Sequence, residues 1–396
     1  MKPFRIVDVR AFASHQPEAG GDYHDRNEGH WLIDSKISTP MSGYSEYKAS
    51  RKSWGIAVLG SLVVEVETES GTIGVAVGFG GEPACFLIER HFRRFLIGSD
   101  VRDTARLFDQ MFRASMPYGR KGLTLAAISV VDLALWDAMG KIRGEPVYKM
   151  IGGETKPDIP LYCTGPRPDI AKGMGFWGGK VPLPCSPADG QAGLAENVGF
   201  LAAHRKSVGD EFPLMVDCYM SLDVSYAIDL ANAIRHLNIN WLEECLHPDD
   251  FDGHRLLKER APWMKWTTGE HEYSRYGFRK LIETRSIDIL QPDMMWMGGL
   301  TEALRVSAMA AAYDIPVVPH GSGAYSYHLV MAQPHSPFCE YLITSPKADK
   351  LEPVFGQLFE HEDLPQDGRI RPSDEPGFGL VLRKGQTHLV RPVVGE

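Results

Sequence analysis

The sequence predicts an α/β fold: a parallel (β/α) barrel preceded by a smaller α+β domain. Three observations carry this. Beyond residue 155, eight short apolar runs alternate with helical stretches. The polar residues at or near the ends of the third to eighth runs are Asp217, Glu243, Glu270, Asp293, His320 and Glu340, spaced 20 to 27 residues apart. That spacing is one βα unit per step, and eight such units close into a barrel. Before residue 145 the order is instead a strand, a hairpin and then helices, an α+β pattern.

Taken in order, residues 5–12 read as a strand. A Gly-rich polar stretch begins at Gly20-Gly21-Asp22-Tyr23-His24-Asp25 and runs on to Asp34. Residues 55–68, rich in Val and partly alternating with Glu, and residues 73–79 form a hairpin around Gly71-Thr72. Helices follow over 85–96, 103–112 and 124–139, the last ended by Gly144 and Pro146. The barrel strands are expected at 159–164, 176–183, 213–218, 240–245, 265–269, 287–291, 316–319 and 338–342. Gly298 to Ala312 is the helix between the sixth and seventh. The remaining residues are rich in Pro and Gly, lose the βα rhythm and fold back on the first domain. The division is therefore 1–145, 146–345 and 346–396.

Composition sets outer bounds. Of 396 residues, 43% are hydrophobic and 23% charged, enough for a large core. The net charge of −9 and the lack of a Lys/Arg cluster argue against nucleic acid or an anionic membrane as partner. A small anionic substrate therefore needs a local cation. No secretory h-region opens the chain and no unbroken apolar run reaches the roughly 18 residues of a membrane span. The six cysteines form no C-x-x-C pair, so a reduced, cytoplasmic protein is expected.

The strand ends carry the chemistry. In a barrel, Asp217, Glu243 and Glu270 converge on one rim, where three carboxylates repel and raise one another's pKa. A hard divalent cation relieves this, and an all-oxygen donor set suits Mg²⁺. Any one of these acids alone reads as a solvated surface charge; three at this period point to a metal site. Asp293 and His320 end adjacent parallel strands, so the Asp can fix the imidazole tautomer and raise its basicity. Glu340 lies on the last strand. His271 follows Glu270 and reads equally as a support or a substrate contact. Lys180, on the second strand, either points into the site or caps the barrel mouth.

With these residues in place, the chain resembles the enolase superfamily, mandelate racemase subgroup. The resemblance extends through Ala134-Leu135-Trp136-Asp137, Lys141 to Tyr148, Glu243-Glu244, Gly269-Glu270-His271 and Pro319-His320-Gly321. Within the subgroup it is similar to the acid-sugar dehydratases, through Gly21 to Asp25, Ser50-Arg51-Lys52-Ser53-Trp54-Gly55, Gly165 to Asp169 and Asp374 to Gly379. The resemblance implies a modified TIM barrel, (β/α)7β, with an N-terminal α+β capping domain completed by the C-terminal tail. It implies that Asp217, Glu243 and Glu270 bind Mg²⁺, and that His320, oriented by Asp293, removes the C2 proton of an acid sugar. Glu340 then lies near the substrate carboxylate, while His24 and Arg51 of the capping domain face the sugar chain. Lys180 and His271 are further candidate substrate contacts. The enediolate so formed, its charge offset by Mg²⁺, expels the C3 hydroxyl. A homo-oligomer is also implied. Many relatives carry Lys-x-Lys on the second strand; here it reads Gly179-Lys180-Val181-Pro182, which leaves one face without a base and argues against a racemase. An isomerase or epimerase, and a sugar-acid-binding protein without turnover, are the competing readings.

Overall fold

The computed structural model describes residues 3–14, 29–48, 55–385 and 388–395. The N-terminal sheet is antiparallel, β1 (Ile6–Ser14), β2 (Ser61–Thr68) and β3 (Ile73–Phe79), with Val9 opposite Val66 and Val64 opposite Ala76. The strand expected from residue 55 starts only at Ser61. Residues Ile56–Leu59 form a 3₁₀ turn, and Gly60 at φ +84 separates turn from strand. The helix expected over 85–96 is two α-helical pieces, Gly81–Leu87 and Arg93–Leu96, joined by a π-helical turn at Ile88–Phe92. In that widened turn lies Glu89, whose buried carboxylate accepts from the Ala11 N–H and pairs with Arg391 of the tail.

Of two longer helices, α1 (Thr104–Ser115) packs on α2 (Leu123–Arg143), and α2 covers the sheet. Helix α2 outruns the expected 124–139 and stops where Gly144 takes the left-handed conformation. It is long and apolar enough to span a membrane, which the sequence reading missed because Asp132 and Asp137 interrupt the run; 89% of its apolar window is buried inside the protein, as in a core helix. It sits directly against β3. A Cβ at Gly74 would lie 2.2 Å from the Ala134 carbonyl oxygen, so only glycine allows this approach.

The second sheet is parallel. Its strands are β4 (Ile159–Thr164), β5 (Gly178–Pro182), β6 (Leu214–Asp217), β7 (Ile239–Glu243), β8 (Trp266–Thr268), β9 (Ile289–Leu290) and β10 (Cys339–Leu342). They lie in the order β10-β4-β5-β6-β7-β8-β9, so the last strand pairs with the first and the sheet curls into a barrel. The expected seventh strand is reduced to one bridge, Leu290 with Val317. Pro316 and Pro319 flank it and cannot donate to a ladder. Helices between strands include α3 (Gly190–Val208), α4 (Val224–Ala233), α5 (Phe251–Arg260), α6 (Ser274–Glu283), α7 (Gly299–Ala311) and α8 (Ala324–Ala332).

The tail closes the structure. β11 (Arg369–Ile370) pairs antiparallel with β4, the Phe378 N–H donates to Asp137 on α2, and Val390 bridges to Ala13 on β1. One apolar core runs continuously from the N-terminal sheet through α2 to Met294–Met297 and α7.

Candidate active site

The strands deliver their terminal residues to one rim. Asp217 is the last residue of β6 and Glu243 the last of β7, registered opposite each other; Glu270 stands two residues past β8. One oxygen from each carboxylate lies within 4.8 Å of the others. All three are buried, with 3%, 1% and 4% of their surface exposed. The backbone beyond two of these strands is strained: Tyr219, Met220 and Glu244 have φ of +46°, +55° and +46°. Such conformations persist where surrounding contacts over-determine them, often at functional sites. The Tyr219 N–H donates to Asp217 Oδ1 at 3.0 Å. Glu243 Oε2 accepts from Gln291 Nε2 at 2.6 Å and Trp241 Nε1 at 3.1 Å.

Burial and mutual repulsion raise the pKa of each acid. Loss of hydration, only partly offset by Lys180, pushes Asp217 up to about 6 and Glu243 up to about 7. Glu270 rises to about 7, mainly through burial, despite His320 and His271 nearby.

Lys180, fully buried on β5, points into the site. Its Nζ contacts Glu243 Oε1, lies 2.9 Å from Glu340 Oε1 and 3.5 Å from Asp217 Oδ2. Glu340, on β10, also accepts from the Thr164 hydroxyl and from the Gly321 N–H at 2.8 Å. Burial works against its charge, but Lys180 and His320 outweigh it and lower its pKa.

His320 has two partners. Nδ1 is 2.6 Å from Asp293 Oδ2, and Nε2 faces the acid cluster, 3.3 Å from Glu270 Oε1. Burial disfavours its proton, yet Glu270, Glu340 and Asp293 together raise its pKa well above the ordinary value. Asp293 is itself held by the Met295 N–H at 2.6 Å. His271 forms a second imidazole–carboxylate pair, with Nδ1 2.8 Å from Glu244 Oε2. Burial opposes its charge, but Glu244 and Glu270 push its pKa up to about 9. A cavity of about 380 Å³ opens beside His271, lined also by Pro40, Met220, His247 and Tyr273.

Thus Asp217, Glu243, Glu270, Asp293, His320, Glu340, Lys180 and His271 all meet at one mouth, while His24 and Arg51 lie outside the described residues. Sequence reasoning missed Glu244 as the partner of His271, Gln291 as a support of Glu243, and Trp296, whose ring lies 5.1 Å from that of His271 and 5.4 Å from that of His320. The signal for Gln291 was its place at the end of the Leu290-Gln291-Pro292-Asp293 run; Trp296 had none beyond its closeness to Asp293.

A curled parallel sheet with an N-terminal cap, three acids on successive strand ends and an Asp–His pair on the next two together define a known class. Residues 51–152 match the family described as mandelate racemase / muconate lactonizing enzyme, N-terminal domain, and residues 175–386 match the enolase C-terminal domain-like family. The chain belongs to the enolase superfamily, mandelate racemase/muconate lactonizing enzyme group. Among individual relatives, it is 50% identical over 389 residues to an L-rhamnonate dehydratase of Saccharopolyspora erythraea, covering 98% of this chain and 99% of that one. A crystal structure of rhamnonate dehydratase from Gibberella zeae complexed with Mg superposes with a TM-score of 0.95 at 60% identity, covering 98% and 96% of the two chains. An L-talarate/galactarate dehydratase from Salmonella typhimurium LT2 is more distant, with a TM-score of 0.77 at 25% identity over 96% and 90% of the chains.

Proposed function

We propose that this chain is a Mg²⁺-dependent hydro-lyase that converts L-rhamnonate to 2-keto-3-deoxy-L-rhamnonate. The observation that carries the chemistry is the placement of His320 Nε2 beside Glu270, with Nδ1 anchored on Asp293, so that one base faces one cluster of acids. Identity of 50% and 60% over nearly full length with rhamnonate dehydratases supports the substrate.

The residues fit the metal. Three buried carboxylates that burial makes hard to ionise, offering only oxygen, are a donor set suited to Mg²⁺. Asp217, Glu243 and Glu270 would hold it. Bound there, Mg²⁺ supplies positive charge against the second negative charge that grows as a carboxylate loses its α-proton. The chain's own residues do the rest. Asp293 keeps His320 in the tautomer whose Nε2 accepts the C2 proton. His320, then protonated, faces the same side of the substrate and returns a proton to the departing C3 hydroxyl. The enol tautomerises to the 2-keto acid. Glu340, with Lys180 at 2.9 Å, lies beside the substrate carboxylate, and His271 faces the sugar chain; the resemblance assigns His24 and Arg51, outside the described residues, to the same chain.

L-Lyxonate and L-mannonate, which share the configuration from C2 to C4, are alternative substrates of the same chemistry. The lone lysine on β5 weighs against a racemase, which needs a base on each face. The same reading divides the chain at 1–145, 146–345 and 346–396, and places a homo-oligomer in the cytoplasm. The test is a screen of purified protein with Mg²⁺ against a library of acid sugars, with semicarbazide detecting 2-keto acids. L-Rhamnonate should give the highest kcat/KM. Proton exchange at C2 in D₂O without a 2-keto product would point to an isomerase instead, and turnover of no acid sugar would end the reading.

A further inference from the structure

Trp296 stands in the loop after β9, and the turn that fixes Asp293 also fixes it. The N–H groups of Trp296 and Met297 both donate to the Asp293 carbonyl, at 3.1 and 2.9 Å, while the Met295 N–H holds the Asp293 carboxylate. The indole lies against both imidazoles, tilted 44° to His271 and 36° to His320, and meets the edge of Phe79 from the capping sheet at 6.2 Å. Cap, base and second histidine therefore converge on this one ring.

Its N–H is buried and has no hydrogen-bond partner among the described residues, and the whole residue is only 7% exposed. The other tryptophans packed into the molecule differ. Trp31 donates to the Ile343 carbonyl, Trp136 to the Thr301 hydroxyl, Trp241 to Glu243 and Trp266 to the Ala261 carbonyl. A buried donor left unpaired costs about 1–3 kcal/mol, and native proteins rarely tolerate it without a reason. Among the buried tryptophans of the described residues, the exception is the ring whose centroid lies 5.4 Å from that of the proposed base.

We propose that the Trp296 indole N–H donates a hydrogen bond to a hydroxyl of the bound sugar acid beyond C3, which makes Trp296 a specificity-determining residue. This rests on the reading of the site as an acid-sugar dehydratase. A site built to hydrogen-bond a hydroxyl discriminates strongly against an analogue that lacks it, because the donor is then stranded.

The experiment compares wild type and Trp296→Phe, which keeps a ring and removes the donor, on L-rhamnonate and its 4-deoxy and 5-deoxy analogues, with Mg²⁺ affinity measured alongside. The variant should raise KM for L-rhamnonate about 10-fold or more, with kcat within about 3-fold and Mg²⁺ affinity unchanged. On one of the two deoxy analogues wild type and variant should converge. Equal KM on L-rhamnonate, or a loss of the same size on both analogues, overturns the assignment. The wild-type protein carries the test even where the variant folds poorly. It must lose about 10-fold in kcat/KM on one deoxy analogue, and equal kcat/KM on all three acids rules the contact out. Wild-type protein that turns over no acid sugar refutes the functional reading instead, so the two failures are distinguishable.

Discussion

His320 is placed so that its two nitrogens do different work. Nδ1 is committed to Asp293 at 2.6 Å, leaving Nε2 as the atom that meets a substrate over the acid cluster. Replacing the imidazole with an amide of similar reach removes the base without removing a carboxylate. His320→Asn should therefore lower kcat by at least about 100-fold, the usual span of acid–base catalysis being 10²–10⁴, while Mg²⁺ binding measured by titration calorimetry persists. Turnover kept within a factor of a few would take His320 out of the role. Much of this was legible in the sequence, because residues that end successive strands appear at a regular interval and their types state their chemistry. The partners were less legible. Glu244 reaches His271 only because its backbone turns to φ +46°, which no residue pattern announces. Lys180 was ambiguous for a related reason: a lone lysine on a strand gives no sign that three acids surround it until the register brings β5, β6, β7 and β10 together.

Helix α2 shows what an element can conceal. Its interior acid Asp132 has no surface exposed, and one oxygen accepts from the Thr301 N–H at 2.9 Å at the start of α7 while the other has no partner among the described residues. Burial is the main cause that pushes its pKa up to about 7 from an ordinary value of 3.8. The folded state thus holds this proton more tightly than the unfolded chain does. Stability from this group is complete below about pH 4, is lost as pH rises through about 7, and stays lost above that. Asp132→Asn keeps the acceptor and cannot ionise. It should therefore raise stability at pH 8 relative to wild type by on the order of 2–4 kcal/mol and leave it nearly unchanged at pH 4, as measured by denaturant unfolding at both pH values. An equal effect at both would show that Asp132 is not protonated in the fold. At this scale helix positions were legible in the residue pattern and strand limits were not. Periodicity marks residues 124–139 of the 21-residue helix α2, but Pro316 and Pro319 cut a seventh strand down to a single bridge, and Gly60 delays β2.

Across the whole molecule, cap, barrel and tail are tied by a few buried polar junctions. Asp137 of α2 is one: it accepts from the Val75 N–H of β3 at 2.8 Å and the Phe378 N–H of the tail at 3.0 Å, and pairs with Lys141 at 2.6 Å. Asp137→Ala strands two backbone donors and a lysine. A loss of about 3–5 kcal/mol is expected, the scale for breaking a buried charged junction, visible as a lowered thermal midpoint; an unchanged midpoint would show that the tail is held elsewhere. A second tie, exposed except for Glu272, crosses the site's edge, where Lys121 reaches Asp249 at 2.6 Å and Glu272 at 2.9 Å. The return of the tail was foreseeable from its loss of the βα rhythm, but not its route, since long-range pairs such as Ala13 with Val390 leave no local trace.

All of this positions one cluster of acids opposite one base, and the chemistry depends on that cluster holding a divalent cation. The direct test is the rate of 2-keto acid formation from L-rhamnonate in Mg²⁺, after chelation with EDTA, and after Mg²⁺ is restored. Activity that vanishes with chelation and returns with Mg²⁺, in protein that stays folded throughout, is the result predicted. Undiminished turnover in EDTA would contradict it.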